Sequence, residues 1–136
     1  MAGSTSHDMM PPILFQMGKK WIASRQIPSW YWYFDRMLPG DDKGAWHSSD
    51  LWYWFGTLDN CWRPMEGRDE ALSNRMVRYL MNFVKTGNPN GGNLPKWVPV
   101  QEKKQALFLG EGQTRMGNPG MAKMVWTMLT NEAPGE

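Results

Sequence analysis

The stretch from Ser29 to Leu38 reads SWYWYFDRML, with an unbroken aromatic run from Trp30 to Phe34. A strand with one wet face alternates apolar and polar residues, and this run has too few polar interruptions for that. It reads instead as a strand covered on both faces, the kind found inside a parallel sheet. A parallel neighbour needs a crossover connection, so the stretch points to an α/β fold.

On its C-terminal side the turn cluster PGDDKG, Pro39 to Gly44, ends the strand. His47 follows just beyond it, in the region where α/β sheets collect ligands and catalytic groups. Next comes LWYWFGTL, Leu51 to Leu58, a short aromatic helix that Gly56 interrupts and that Ser48, Ser49 or Asp50 is placed to cap. The clearest helix runs from about Asp69 to Thr86, where Leu72, Met76, Tyr79, Leu80, Phe83 and Val84 make one stripe and Gly87 and Pro89 supply the stop. GNPNGGNLPKW is then loop, QALFLG a short late strand, GEGQTRMG a turn, and GMAKMVWTML a C-terminal helix.

On its N-terminal side, Pro28 closes a linker. Before it, Ile13, Leu14, Met17, Trp21 and Ile22 recur at helical spacing, with Asp8 as N-cap and Pro11 and Pro12 in the first turn. Residues 1–12 are expected to be a flexible start, and the whole chain, 1–136, reads as one unit without repeats.

Composition excludes several classes of function. The chain has 136 residues, 41% hydrophobic, and a net charge of +2 from 15 basic and 13 acidic side chains spread along it. That balance argues for neither nucleic acid nor an anionic membrane as partner. No apolar run approaches the ~20 residues of a membrane helix, and MAGSTSHDMMPP lacks the features of a signal peptide. The compartment, cytoplasmic or secreted, stays open, as does the oligomeric state. Cys61 is the single cysteine, so an intrachain disulfide is excluded.

No serine sits in the G-x-S-x-G setting that exposes the nucleophile of an α/β-hydrolase. Cys61, in DNCWRP, reads as a buried or idle thiol. His7 and His47 belong to no metal-ligand spacing, and GEGQTRMG lacks the lysine and spacing of a phosphate loop, so no metal and no cofactor is implied. Trp30, Tyr31, Trp32, Tyr33, Trp52, Tyr53 and Trp54 read first as packing between sheet and helix, although exposed rings also suit a carbohydrate-binding module.

GAWHSSDLWYWFGTL, Gly44 to Leu58, resembles the histidine segment of the type-B carboxylesterases, which include cholinesterases and p-nitrobenzyl esterases. The pattern is G-A-x-H-x-x-E-L-x-Y-x-F-G, matched by Gly44, Ala45, His47, Leu51, Tyr53, Phe55 and Gly56, with Asp50 in place of the Glu. HDMMPPILFQMGKKWIASRQIPSWYWYFDR is similar to the stretch leading into that family's late central strand. LSNRMVRYLMNFVKTGNPN is similar to a helix that ends there in F-A-K-T-G-N-P, and LPKWVPV departs from the usual order of the following Trp and Pro. The resemblance spans about Ser6 to Gly110.

The resemblance implies the C-terminal portion of an α/β-hydrolase fold, incomplete on its own: late central strand, histidine loop and outer helices. It gives His47 the role of general base in a Ser-Glu/Asp-His triad, the imidazole suiting a proton taken and returned near neutral pH. Histidine is the last triad member in chain order, so nucleophile, acid and oxyanion loop are expected in an N-terminal remainder of the same esterase. The substrate class is a small-molecule ester, and the chain alone is expected to be inactive. Trp46 and Trp52 flank His47 as candidates for the substrate pocket, with core packing as their competing role. Asp50 is expected to cap the helix rather than orient the imidazole. A non-catalytic, cholinesterase-like interaction module is the alternative in a different class.

Overall fold

A computed structural model describes residues 1–5, 27–103 and 105–118. The proposed Asp8 cap and Ile13–Ser24 helix, His7, and the C-terminal helix GMAKMVWTML lie outside the described residues. Within them, a four-stranded sheet carries two helices. The strands are β1 (Ala2–Thr5), β2 (Tyr31–Phe34), β3 (Ala106–Leu109) and β4 (Arg115–Gly117), and their spatial order follows the chain.

Strand β2 is central and parallel to both neighbours, pairing Tyr31 with Ala2 on one side and Trp32 with Leu107 on the other. The aromatic run reads correctly for this reason. Tyr31 and Phe34 are buried and Trp32 and Tyr33 are half-buried, so each face carries one buried ring and one partly covered ring and neither is a polar, solvent-facing side. The strand is shorter than the aromatic run, because Trp30 leaves the ladder and sends its indole N–H to the carbonyl of Trp97 at 3.1 Å.

Two strands extend beyond the sequence expectations. β1 has no apolar signal in AGST, and its place depends on Gly3, where a Cβ would run into the indole of Trp32. Within GEGQTRMG only the first half is turn; Arg115 to Gly117 returns antiparallel to β3, with the Arg115 guanidinium 4.5 Å from the Phe108 ring centroid. The sheet is therefore mixed.

Helix α1 (Leu51–Trp54) is one aromatic turn, followed at Gly56 by a positive φ of 61° and then by a 3-10 turn at Leu58–Asn60. Helix α2 (Gly67–Thr86) buries Leu72, Met76 and Tyr79, the middle of the stripe expected from period 3.6, and ends at Gly87 with φ of 74°. Val84, counted into that stripe, is exposed instead. The core joins this stripe to Phe34, Leu38, Tyr53, Trp54, Trp97, Leu107 and Leu109. Trp97, fully buried, comes from the LPKWVPV loop. Its indole donates to the Tyr31 carbonyl at 3.1 Å, and Asn90 brackets its backbone at 2.7 and 2.8 Å. That loop is thereby tied to the start of β2.

Candidate functional site

Residues 35–46 lead from β2 to His47, and this segment is held down at several points. Arg36, 2% exposed, donates to Asp69 at the start of α2 through Nε (2.7 Å) and Nη2 (3.2 Å), and to Glu111 through Nη1 (2.5 Å). Tyr53 of α1 donates its hydroxyl to the same Asp69 at 2.6 Å, and the Glu66 amide donates at 2.9 Å. One carboxylate thus joins the exit of β2 to both helices. Burial pushes Asp69 up, but the hydrogen bonds from Arg36, Tyr53 and Glu66 outweigh it and hold its carboxyl below the usual range. Burial and the neighbouring Asp69 push Tyr53 far above an ordinary phenol, so it stays protonated as a donor. Further along, buried Arg63 donates to Asp41 at 2.7 Å and to the Pro39 carbonyl at 2.8 Å, fixing the PGDDKG turn.

His47 is exposed on a turn between buried segments: Gly44 and Ala45 precede it, and Ser49 and Asp50 follow. The Ser49 amide donates to the Trp46 carbonyl at 3.1 Å and the Leu51 amide to that of Ser48 at 3.2 Å. Ser48 has φ of 64°, the sole non-glycine positive φ among the described residues. Such strain persists only where the surroundings impose it.

Asp50 is not the cap expected from its position. Its backbone is helical (φ −74°, ψ −15°), and its side chain bonds none of the first amides of α1. The carboxylate instead accepts the Trp32 indole N–H at 3.0 Å through Oδ2. The resulting hydrogen bond crosses from the central strand to the histidine turn. Sequence reasoning missed it because it placed Trp32 among generic packing residues; alternation along β2 puts Trp32 and Phe34 on one face, and both pack against α1 residues.

Trp46 and Trp52 are brought together beside His47, edge to face at 5.8 Å between centroids. Trp46 is 36% exposed and Trp52 half-buried, so the pair presents aromatic surface on the segment that carries His47. Cys61 is half-buried and free. Among the described residues no group of three or more His, Cys, Asp or Glu could hold a metal ion, and no helix is long and apolar enough to cross a membrane.

The model of the carboxylesterase family matches residues 5–126, nearly the whole chain. The chain belongs to the carboxylesterase family. Among curated carboxylesterases, bovine (Bos taurus) carboxylesterase 4A is 33% identical over 96 residues, which cover 67% of this chain and 17% of that protein. Human (Homo sapiens) cocaine esterase is 44% identical over 41 residues, 30% of this chain and 7% of its own length. Among solved structures, an esterase from Clostridium hathewayi, described as hydrolysing aliphatic aromatic polyesters, superposes with a TM-score of 0.69 at 19% identity, over 80% of this chain and 23% of that one. A PNB esterase superposes with a TM-score of 0.60 at 22% identity, over 74% and 21%. These superpositions identify the fold as that of esterases, and this carboxylesterase chain spans less than a quarter of the length of the proteins it matches.

Proposed function

We propose that this chain contributes the general base of a serine carboxylester hydrolase, with His47 in that role. On this reading it is the closing part of a larger α/β-hydrolase body, and nucleophile, acid and oxyanion donors belong to the preceding part of the same esterase. The observation that carries the reading is the setting of His47. An exposed imidazole stands on a pinned turn beyond the central parallel strand, in a chain of the carboxylesterase family.

The chemistry follows from what an imidazole can do. The serine hydroxyl attacks the ester carbonyl while His47 takes its proton, and the negative charge moves to the carbonyl oxygen, held by backbone N–H groups. Collapse of the tetrahedral intermediate expels the alkoxide, which receives the proton from His47. Water repeats the cycle on the acyl-enzyme and releases the acid. Trp46 and Trp52 then line the substrate cleft beside the imidazole. On this reading the chain supplies the base alone and, taken by itself, should not hydrolyse esters with saturation kinetics.

The test is to read the coding sequence in frame upstream of Met1 for G-x-S-x-G followed by a well-spaced Asp or Glu. Both together support the proposal. An elbow without serine refutes it and leaves a non-catalytic relative.

A further inference from the structure

Trp32 and Asp50 are 18 residues apart in the chain and meet through a single indole-to-carboxylate hydrogen bond of 3.0 Å. Asp50 is only 7% exposed, so this carboxylate is largely removed from water and depends on protein donors. The two partners differ in rigidity. Trp32 belongs to the central strand, flanked by parallel ladders, and its ring packs edge-on against Trp54 at 4.8 Å and Trp97 at 6.5 Å. Asp50 closes a turn that contains a left-handed Ser48, a conformation the chain would leave if nothing held its end. The stiff element therefore sets the position of the turn.

We propose that Trp32 is a positioning residue: through Asp50 it fixes the turn that carries His47 against the central strand. Its purpose rests on the reading of His47 as general base, but the positional claim can be tested without any activity. A shorter carboxylate than the Glu of the family pattern reaches less far, and the indole N–H comes from the sheet to meet it. Trp32→Phe removes this donor and keeps an aromatic ring in the same packing.

The experiment uses the full 136-residue chain, isotope-labelled, with His7→Gln so that one imidazole remains. The His47 Cε1–Hε1 NMR signal and the backbone order parameters of residues 47–50 are recorded for the parent, Trp32→Phe, Asp50→Ala and the double variant. The expected result is a displaced imidazole signal and order parameters falling from about 0.85 toward 0.6 or less in each single variant, with β2 and β3 amides unmoved and the double variant no worse than either. An unchanged signal and unchanged turn order in Asp50→Ala overturn the proposal, even where Trp32→Phe fails to fold. The two readings fail separately. Loss of turn order together with an active His47→Ala esterase would remove only the catalytic role, whereas an inactive His47→Ala with an undisturbed turn would remove only the positioning role. In the assembled enzyme, Trp32→Phe should lower kcat and leave KM nearly unchanged.

Discussion

Replacing Asp69 with Asn takes the fully buried anion from the centre of a network. Asp69 is fully buried and accepts from Arg36 Nε and Nη2, from the Tyr53 hydroxyl and from the Glu66 amide. An amide of the same size keeps one acceptor oxygen and turns the other corner into a donor, which faces donors. Arg36, 2% exposed, would then retain Glu111 as its one charged partner among the described residues, and Glu111 is itself 37% exposed. Removing one member of a buried ion pair costs about 3–5 kcal/mol, against roughly 5–15 kcal/mol of stability for a whole domain. With a urea slope of about 2 kcal/mol/M, the midpoint should fall by about 1.5–2.5 M. Urea unfolding of parent and variant followed by tryptophan fluorescence measures it. The partner substitution refines the claim: the double variant Arg36→Met, Asp69→Leu should recover part of the loss, because it leaves no orphaned charge. A cost below about 1 kcal/mol for Asp69→Asn is what an exposed ion pair would give, and it would refute the network as the tie between β2, α1 and α2.

Three further outcomes follow from the same structure. The hydrogen bonds from Arg36 and the Met37 amide outweigh burial at Glu111 as those at Asp69 do, so both carboxyls are held below their ordinary range. Their contribution is complete above about pH 5.5, where the unfolded carboxyls are also ionised, and is lost progressively as the pH falls from the ordinary carboxyl values through the lowered ones, so urea midpoints should drop below about pH 5 in the parent and less so in Asp69→Asn. Gly110→Ala places a methyl group against the Arg36 amide and the Asp35 carboxylate and should cost about 1–3 kcal/mol or more, read as a lowered melting temperature. Ser48→Gly relieves the left-handed strain of about 1–2 kcal/mol while adding about 0.4–1 kcal/mol of unfolded-chain entropy, so thermal unfolding should show no loss and a net gain of up to about 1.6 kcal/mol.

The elements legible in the sequence are those whose signal is local. Leu72, Met76 and Tyr79 repeat with the helical period because one face of α2 meets the core, and Gly87 stops it by a conformation other residues adopt at a cost. The run from Trp30 to Phe34 lacks alternation because β2 has cover on both faces. What was illegible depends on partners far along the chain. β1 is a strand because Gly3 leaves room for Trp32, not because AGST favours extended backbone. β4 pairs with β3 through Arg115 to Gly117, a segment in which Met116 is the one apolar side chain, too little for a local strand signal. Asp50 looks like a cap by position, and only the fold brings an indole to it. Asp69 likewise reads as a first-turn acid, and its bonds to Arg36, 33 residues away, belong to the tertiary structure.

The measurement that bears most directly on the central claim is the kcat/KM for p-nitrophenyl ester hydrolysis by the esterase that contains this chain, compared between the parent and His47→Ala. Loss of a general base from a serine triad removes on the order of 10⁴-fold or more, with the protein still folded by circular dichroism. Activity within about tenfold of the parent would contradict the assignment of His47 as the catalytic base.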